Sequence, residues 1–538
     1  MTIGNKITQL RLLNNKSQEE LAYELNVSRQ SVSKWEMDQA MPQIDKVLQL
    51  CEIFGISADE LLRDNVELKC LKTKTTNKYF GTDGFRGEAN INLNSIQAYK
   101  VGRFLGWYYS KLLTEKGKVG IKPRVVIGKD TRRSSYMLEY SIVAGLTASG
   151  ADVYMLHVTT NPSVSYVTHQ DNFDCGIMIT ASHNPYYDNG IKIINSYGEK
   201  LDDNTTSLIE AYLDGNLKAL GLSDNDLPFA VRDKLGCIID YASGRNRYIA
   251  YLISIASHSY KNLKIGLDCA NGSSWMLAKA VFSALGAQTE VIGVEPDGLN
   301  INSNCGSTHI EQLQKLVKEK HLDFGFAFDG DADRCFAVDE KGNVLNGDKI
   351  LYVLANRLKS RNMLNKNTIV STIMSNSGLV SALEKKGIKT IQTTVGDRFV
   401  YEEMQNNDYS LGGEESGHII LKKYATTGDG LLTAIMLTEE ICDSKLPLSK
   451  LHEDLMFYPQ YLKNIKVKNK SEVMKDIVVK NEIKEIEKQI NHKGRILLRE
   501  SGTEPVVRIM VECEDKEKCI EYANQVAKII IERGYANE

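Results

Sequence analysis

The chain has 538 residues, 42% of them hydrophobic and 25% charged, and this length exceeds what one hydrophobic core usually serves, so several domains are expected. A formal net charge of −3 excludes a global attraction to nucleic acid or anionic membranes, so any such binding must be local. No apolar stretch is long enough to span a bilayer and the ten cysteines form no CxxC pair or zinc-spaced cluster, so we expect a reduced cytoplasmic protein without a membrane partner.

Residues 3–64 are predicted to form short helices, without a strand pattern. The stretch SQEE fits a capping box in which Ser17 is the N-cap and Glu20 reaches back. The helix SQEELAYELN ends at Asn26, which tolerates a left-handed turn, and Ser28 then caps a second helix, SRQSVSKWE. Two helices joined by so short a turn predict a helix-turn-helix.

This stretch, SQEELAYELNVSRQSVSKWE followed by MPQIDKVLQLCEIFGISADELL, resembles the Cro/repressor-like (XRE) family. The resemblance implies an all-α domain at residues 1–66 that binds DNA through its second helix, and a polar linker follows at 67–78. The residues that the resemblance places against base edges and phosphates are Arg29, Gln30, Ser31, Ser33 and Lys34. A helical protein–protein module is the alternative, since acidic residues outnumber basic ones in this segment.

From residue 79 onward, one pattern of strand, polar loop, helix, glycine and strand recurs three times. The copies begin RVVIGKDTRRSS, LKIGLDCANGSS and TIVSTIMSNSG. Gly150, Gly286 and Gly387 stand where the residue after a helix C-cap is expected. Alternating strands and helices predict parallel or mostly parallel sheets, whose ligands bind beyond the carboxyl ends of the strands.

Each copy continues into a further strand that ends in a polar loop, and these loops are ITASHNP, DGDADR and GGEESGH. We expect the three loops to converge on one central cleft. The predicted fold class is α/β, with three consecutive mixed-sheet domains at 79–244, 245–343 and 344–458. A smaller α+β domain follows at 459–538.

The loop DGDADR carries three alternating acids, Asp329, Asp331 and Asp333, which an extended segment places on one side. Three hard oxygen donors suit Mg²⁺ or Ca²⁺, and Mg²⁺ is favoured if a phosphate supplies further ligands. An EF-hand is an alternative, because Glu340 stands at its twelfth position, but Arg334 replaces the required glycine and the flanks predict strands. A solvated acidic turn is the other alternative.

In the loop ITASHNP, Ser182 and His183 are neighbours. We expect adjacent side chains in an extended or turn segment to point different ways, which disfavours His183 as a base for Ser182. The G-x-S-x-G elbow of hydrolases is also missing. If the first two loops meet, the Ser182 hydroxyl lies beside a metal ion and suits a phosphate carrier, with Lys192 to supply charge or exchange a proton.

The segment RESGTEPVVR offers the hydroxyls and backbone N–H groups of Ser501, Gly502 and Thr503 between Arg499 and Arg508. A concave set of donors between two guanidinium groups suits phosphate. An ordinary turn with surface arginines is the alternative.

The loop GGEESGH follows the third copy and combines a glycine pair with Glu414, Ser416 and His418. These side chains are of the types that bond sugar hydroxyls and move a proton.

Together the four loops resemble the α-D-phosphohexomutase family across residues 79–538, through YFGTDGFRGEAN, ITASHNPYYDNGIKI, TTVGDRFV, GGEESGH and YATTGDGLL. The resemblance implies four domains around a central cleft, Mg²⁺ as cofactor and a serine that is phosphorylated in the active enzyme. It assigns the phosphoserine to Ser182, and the metal ligands to Asp329, Asp331, Asp333 and a phosphoseryl oxygen of Ser182.

The remaining roles are also implied by the resemblance. Arg86 and Lys192 line the transfer site, and Lys192 and His418 are the acid/base candidates. Arg334 lies beside the metal loop, Glu414 and Ser416 bind sugar hydroxyls, and Arg499, Ser501, Gly502, Thr503 and Arg508 hold the phosphate that is not being transferred.

The implied reaction interconverts glucosamine 6-phosphate and glucosamine 1-phosphate through a bisphosphorylated sugar. An isomerase of glucose or mannose phosphates, and a transcription regulator that only senses sugar phosphates, are the alternatives. Two positions depart from the family pattern: Ala332 stands where glycine is common, and Glu415 where glutamine is usual for this sugar. The helix-turn-helix domain also lies outside the family's ordinary plan.

Overall fold

The computed structural model describes residues 3–13, 16, 18–25, 27–54, 56, 58–62, 78–81, 83–222, 226–490, 494–500 and 506–536. These residues belong to two compact units, Met1–Lys78 and Tyr79–Glu538. Ser17 and Asn26, to which the sequence assigns a cap and a turn, lie outside the described residues, as does most of the predicted linker.

The first unit is helical, as predicted. Its helices are α1 (Ile3–Leu13), α2 (Gln18–Glu24), α3 (Arg29–Glu36), α4 (Ile44–Phe54) and α5 (Ala58–Leu62). Ser28 caps α3, because its hydroxyl accepts the N–H of Ser31 at 3.1 Å. Leu21 on α2 and Val32 and Trp35 on α3 pack into one buried core, so the two helices of the motif hold each other.

The second unit begins with a mixed sheet. Its strands are β1 (Phe80–Gly81), β2 (Gly84–Glu88), β3 (Arg124–Lys129), β4 (Asp152–Val158), β5 (Cys175–Ile179), β6 (Asp188–Asn195) and β7 (Ile238–Asp240), in the order β1-β2-β6-β5-β3-β4-β7. The associated helices are α6 (Ser95–Glu115), α7 (Arg133–Ala148), α8 (Asn161–Gln170), α9 (Asp203–Leu213) and α10 (Ala242–Ile255). The central strands β3 and β5 are buried along almost their whole length and are apolar between Arg124 and Lys129 of β3, which fits a sheet covered on both faces.

Two further mixed sheets follow. The second contains β8 (Lys264–Asp268), β9 (Gln288–Ile292), β10 (Phe324–Phe328), β11 (Cys335–Asp339) and β12 (Val344–Leu345), with helices α11 (Leu277–Ala284) and α12 (Glu311–Lys320). The third contains β13 (Thr368–Thr372), β14 (Lys389–Thr393), β15 (Leu411–Gly413) and β16 (Ile419–Leu421), with helices α13 (Gly347–Ser360), α14 (Ser377–Lys385), α15 (Asp397–Asn407) and α16 (Gly430–Ser444). Their apolar side chains join in one continuous core.

The three copies read from the sequence share one strand order. It is β4-β3-β5-β6 in the first sheet, β9-β8-β10-β11 in the second and β14-β13-β15-β16 in the third. In each copy the first three strands are parallel and the fourth returns antiparallel to the third. Gly150, Gly286 and Gly387 have φ of +88°, +98° and +68°, so the predicted left-handed glycines after the helices are confirmed.

The chain ends in an α+β region. It contains the antiparallel strands β17 (Gln460–Lys466), β18 (Gly494–Glu500) and β19 (Val506–Cys513), with helices α17 (Lys470–Lys475), α18 (Ile477–Ile490) and α19 (Lys516–Glu532). No helix in the described part of the chain is long and apolar enough to cross a membrane. The predicted domain boundaries at 244/245, 343/344 and 458/459 stay predictions.

Asp348, near the start of α13, is fully buried. One of its oxygens accepts the N–H of Asn376 at 2.7 Å, and the other has no hydrogen-bond partner among the described residues. Burial raises the pKa of Asp348 to about 7, and the charges of Glu415 and Glu512 add to this effect.

We therefore expect Asp348→Asn to stabilise the protein at about pH 8, by on the order of 3 kcal/mol, and to change little at about pH 4. The pKa of this carboxyl is higher in the folded chain than in the unfolded chain. Its contribution therefore favours folding below the unfolded pKa and is lost as the pH rises through the folded one. Thermal unfolding midpoints of both proteins across this range check the prediction.

A matched control is Asp454→Asn. Burial alone raises the pKa of Asp454, but hydrogen bonds from Lys386 and Tyr352 outweigh it and leave that pKa below its ordinary value. This control is expected to destabilise slightly as the pH rises. A difference between Asp348→Asn and wild type that is the same at every pH contradicts the prediction.

Candidate active site

The candidate loops all occupy the same place in the repeated sheet pattern. Each joins the third strand of its copy to the antiparallel fourth strand: 180–187 joins β5 to β6, 329–334 joins β10 to β11, and 414–418 joins β15 to β16. Ligand sites in such sheets form beyond the carboxyl ends of parallel strands, which is where these three loops lie. Repetition of one topology thus delivers three polar loops to one region.

The second loop carries the acidic triad. Asp329, Asp331 and Asp333 are buried, and ligand oxygens from all three lie within 4.8 Å of one another. The segment is a turn in which Ala332 has φ +56° and its N–H bonds to the Asp329 carbonyl, so the expectation of an extended segment is wrong. A turn gathers the three carboxylates around one point, whereas an extended strand only aligns them along one side.

The residues present fit a bound divalent cation. One oxygen of Asp331 and one of Asp333 are buried and lack a hydrogen-bond partner among the described residues. Burial, together with repulsion from Asp333, raises the pKa of Asp331 well above its ordinary value. Three buried carboxylates carry more negative charge than Lys192 beside them balances alone, and hard oxygen donors are the ligands that Mg²⁺ prefers. Glu340, the EF-hand alternative's ligand, instead accepts the backbone N–H of Ser449 at 3.2 Å.

Ser182 meets this triad directly. Its hydroxyl donates to Asp329 Oδ2 at 2.5 Å, and both residues are buried. The backbone of Ser182 is left-handed, with φ +52°. That turn brings the neighbouring imidazole round, so His183 Nδ1 lies 3.3 Å from Ser182 Oγ, and the prediction that the two side chains point apart is wrong.

His183 is nevertheless a poor base. Burial, reinforced by the charges of Arg334 and Arg86, lowers the pKa of His183 to about 3. A general base works best when its pKa lies near the operating pH. The short Ser182–His183 distance therefore does not support a hydrolase in which His183 activates Ser182.

Lys192 lies on β6 and is buried against the triad. Its ammonium group is 2.8 Å from Asp331, 3.0 Å from Asp333 and 3.2 Å from Asp83. Burial alone lowers the pKa of Lys192, but these three carboxylates outweigh it and hold that pKa well above its ordinary value. Lys192 is consequently a cation at this site.

Arg86 lies on β2, the neighbour of β6 in the first sheet, and its register partner is Gly190. It donates to the Ala181 carbonyl and to Asn184 Oδ1, each at 3.2 Å, and pairs with Asp83. Its Nε is buried and has no partner in the described part of the protein, so it remains available to an anion.

His418 brings the third loop against the second. A backbone bridge pairs Arg334 with His418, and His418 Nδ1 is 3.6 Å from Asp333. The N–H of Gly428 donates to Nε2 at 2.9 Å, which leaves the ring proton on Nδ1 in this arrangement. Burial alone lowers the pKa of His418, but Asp397 and Asp333 outweigh it and raise that pKa to about 9.

The other groups of the third loop line the same region. Glu414 is buried and accepts the N–H of Gly396 at 2.9 Å, while Ser416 Oγ is buried with no partner among the described residues. Glu415, the departure from the family pattern, instead accepts a 3.4 Å hydrogen bond from Asn346 at the start of α13.

The two arginines of the fourth segment lie on adjacent strands. Arg499 on β18 is paired directly with Arg508 on β19, and both are half-buried. Burial and the charge of Arg508 lower the pKa of Arg499, while the Glu414 carboxylate opposes this shift. Arg499 therefore interacts electrostatically with the third loop. Ser501, Gly502 and Thr503, between the two strands, lie outside the described residues.

Sequence reasoning missed a series of connected ion pairs in this region. Lys200 lies 2.9 Å from Asp83 and 2.6 Å from Asp397, and Asp397 is 3.5 Å from His418. Lys200 thus connects residues that accompany the first sheet with residues that accompany the third sheet. A second such link is the 2.8 Å pair between Arg398 on α15 and Asp203 on α9. Asp83 and Asp397 stand within the motifs GTDGFRG and VGDRF, which the resemblance used without assigning these acids a role.

The residues predicted to contact DNA belong to the first compact unit. Arg29, Gln30, Ser31, Ser33 and Lys34 all lie on α3. Arg29, Gln30 and Lys34 are exposed, and Arg29 pairs loosely with Glu19 at 3.4 Å. Val32 and Trp35 point into the core, so the helix presents its polar face outward.

Comparison with known families accounts for almost the whole chain. Models described as "Phosphoglucomutase/phosphomannomutase, alpha/beta/alpha" domains I, II and III match residues 77–219, 246–342 and 346–458, and that family's "C-terminal domain" matches 462–529. A model described as "Helix-turn-helix" matches residues 7–61.

Full-length relatives agree with these matches. A phosphoglucosamine mutase from Lachnospira eligens is 57% identical over 459 residues, covering 85% of this chain and 99% of its own. One from Bacillus subtilis is 47% identical over 453 residues, covering 84% and 98%.

Solved structures share the fold. A phosphoglucomutase/phosphomannomutase family protein from Burkholderia thailandensis matches with a TM-score of 0.69 at 23% identity, covering 85% of this chain and 98% of that one. Aspergillus fumigatus N-acetylphosphoglucosamine mutase in complex with GlcNAc-6P and magnesium gives a TM-score of 0.61 at 17% identity, covering 84% and 95%.

The chain thus belongs to the phosphoglucomutase/phosphomannomutase family. It is an isomerase, an intramolecular phosphotransferase, with a helix-turn-helix module before the catalytic region. Its cofactor is Mg²⁺, which the buried aspartate triad fits.

Proposed function

We propose that this protein interconverts glucosamine 6-phosphate and glucosamine 1-phosphate, with Ser182 as the phosphate carrier. The observation that carries the proposal is the 2.5 Å contact between the Ser182 hydroxyl and Asp329 of the acidic triad. A hydroxyl held against a divalent-cation site, with cationic side chains around it, suits reversible phosphoryl transfer.

The chain's residues divide the work as follows. Ser182 Oγ carries the phosphoryl group, and its bond to phosphorus breaks as the oxygen of a sugar hydroxyl forms the new one. The net change moves the proton of that hydroxyl to Ser182 Oγ. Lys192, a cation at rest, and His418 are the groups that relay it. Arg86 and Lys192 supply positive charge to the transferring phosphoryl group. Arg334 stands beside the metal loop.

The reaction then runs in the opposite sense at the other end of the sugar. Once bisphosphorylated, the sugar turns in the site and returns its second phosphate to Ser182. Glu414 and Ser416 bind hydroxyls in either orientation, while Arg499 and Arg508, with Ser501, Gly502 and Thr503, hold the phosphate that is not being transferred. Asp329, Asp331 and Asp333 would hold Mg²⁺, which neutralises charge on the transferring group when bound.

The similar relatives favour an aminosugar as substrate, and the position of Glu415 does not oppose it. The relatives from Lachnospira eligens and Bacillus subtilis that match most of the chain are phosphoglucosamine mutases. Glu415 contacts Asn346 at the start of α13, so its difference from the usual glutamine leaves Glu414 and Ser416 in place for the sugar.

The substrate preference is measurable by steady-state kinetics. We expect kcat/KM for glucosamine 1-phosphate to exceed that for glucose 1-phosphate and mannose 1-phosphate by about 100-fold or more, since a buried site built for a polar group rejects analogues that lack it. A preference for glucose or mannose phosphate would replace the proposed substrate but keep the mutase. No turnover of any of the three supports a sugar-phosphate sensor instead.

The N-terminal module supports a second activity, DNA binding through residues 1–66. Its α3 is capped by Ser28 and exposes Arg29, Gln30 and Lys34, whose side chains can bond base edges and phosphates. Ser31 and Ser33 lie on the same helix and complete the proposed contact set. The enzyme is then tethered to, or regulated through, DNA.

Arg29→Ala is expected to weaken DNA binding about 10-fold and to reduce its salt dependence, because one base or phosphate contact is lost. The probe is a fragment enriched from a random duplex library by the full chain, and affinity is measured at several salt concentrations. Lys16→Ala, an equal loss of charge outside α3, is the control. Failure to enrich any fragment, or equal effects of both variants, favours a protein–protein module.

We also place the enzyme in the cytoplasm. The cysteines that the structure describes are free, and thiols stay reduced in the cytoplasm.

A further inference from the structure

The carbonyl oxygen of Ser182 accepts hydrogen bonds from two side chains. Arg132 Nη2, from the first sheet's region, donates to it at 2.9 Å. Asn302 Nδ2, from the loop between β9 and α12, also donates to it at 2.9 Å. Both donors reach the Asn184 carbonyl as well, at 2.9 and 3.2 Å.

The contacts of Arg132 fix its guanidinium group against the serine loop. It is fully buried, its Nε bonds to Asp130 at 2.7 Å, and its Nη1 reaches the carbonyls of Pro185 and Asp188. Its guanidinium donors therefore go to the serine loop and to Asp130, and none is spent on a substrate. The planar fork of arginine allows it to hold several acceptors in one fixed geometry.

Asn302 adds a contact from a different sheet's region. It is buried, has φ +57°, and its N–H bonds to the Ala270 carbonyl at 2.9 Å. Gly330 of the metal loop packs against the same Ser182 carbonyl oxygen. A Cβ atom at position 330 would lie only 2.5 Å from that oxygen. Only glycine permits this approach, so the serine and metal loops are joined through one backbone oxygen.

These contacts bear on reactivity because Ser182 is left-handed. A non-glycine residue at positive φ is disfavoured, and it persists only where its surroundings determine it. Relaxation to negative φ would rotate the Cα–Cβ bond and move Oγ away from Asp329. A fixed carbonyl prevents that rotation without touching the hydroxyl.

We propose that Arg132 and Asn302 are positioning residues that hold Ser182 in its left-handed conformation by binding its carbonyl oxygen. Through Asn302, the reactive geometry of the serine loop depends on contact with the second sheet's region. This inference rests on the proposed role of Ser182 as phosphate carrier.

The test is Asn302→Gly, which removes the amide donor and tolerates the positive φ. The matched control is Asn304→Gly, two residues along the same loop, which is exposed and has φ +53°. For Asn302→Gly we expect kcat to fall roughly 10- to 100-fold with KM for glucosamine 1-phosphate and Mg²⁺ affinity within about twofold of wild type. Asn304→Gly should match wild type in all three.

Amide hydrogen exchange of the peptide spanning residues 178–193 gives a readout that does not need turnover. The exchange rate of this peptide should rise in Asn302→Gly and stay unchanged in Asn304→Gly. Unchanged exchange in Asn302→Gly overturns the inference, as does faster exchange with wild-type kcat. A wild-type protein without mutase activity refutes the proposed function separately, and exchange then still decides whether Asn302 holds the loop.

Discussion

Ser182→Ala is expected to lower kcat by at least about 10⁴-fold while leaving the fold intact. The substitution removes the atom that would carry the phosphoryl group and little else. Alanine keeps the Cβ, and the backbone contacts of Ser182 through Arg132 and Asn302 do not involve the hydroxyl. Coupled assay of glucosamine 1-phosphate turnover, with circular dichroism of the purified variant, measures both parts of the prediction.

Ser141→Ala is the matched control, because it also deletes one hydroxyl. Ser141 is half-buried, and its hydroxyl donates to the Met137 carbonyl within α7. It should retain wild-type kcat. Near-normal turnover by Ser182→Ala contradicts the carrier role. Equal losses in both variants would indicate a general sensitivity of the first sheet's region.

Asp331→Ala should lower kcat by about 10³-fold and weaken Mg²⁺ binding, measured by isothermal titration calorimetry, at least 10-fold. Loss of several kcal/mol of charge stabilisation at the transferring group corresponds to this change in rate. Removal of Mg²⁺ by a chelator should abolish wild-type turnover, and added Mg²⁺ should restore it. In the variant, Lys192 keeps its contact with Asp333, so the local charge balance shifts by one unit only.

Glu340→Gln separates the triad from the EF-hand alternative. Glu340 binds Ser449 rather than the triad, and glutamine can accept the same hydrogen bond. Mg²⁺ affinity and kcat should therefore stay at wild-type values. A drop in metal affinity for Glu340→Gln, with none for Asp331→Ala, would contradict the assignment of the metal site.

The repeated strand–helix pattern made most of the fold predictable from the sequence. Apolar runs, polar loops and left-handed glycines recur at Gly150, Gly286 and Gly387, and each is a local signal. Mixed sheets were predicted, but which strand of each copy runs antiparallel was not predictable, because a short apolar strand carries no mark of its direction. The same limit applies to the pairing of β7 at the edge of the first sheet.

The meeting of the serine and metal loops was predictable, since loops at the carboxyl ends of parallel strands share one edge. Their internal shapes were not. Both Ser182 and Ala332 are left-handed, and a left-handed residue that is not glycine leaves no composition signal. This conformation explains why His183 turns toward Ser182 and why the aspartates gather at a turn.

Contacts between separate domains were the least predictable feature. Lys200, Asp397 and Asn302 act on groups more than a hundred residues away in the chain, as with the Lys200–Asp397 and Asn302–Ser182 hydrogen bonds. Nothing in their local sequence indicates these partners. The roles of Arg499, Arg508 and the α3 residues stay predictions.

Ser182 must both receive and give up a phosphoryl group during each catalytic cycle, and one labelling experiment measures this directly. The protein is incubated with radiolabelled glucosamine 1,6-bisphosphate, and the labelled residue is located by mass spectrometry of its peptides. The label should sit on Ser182 and leave within the time of one turnover when unlabelled glucosamine 6-phosphate is added. A label on another residue, or one that stays on Ser182 during full turnover, contradicts the account.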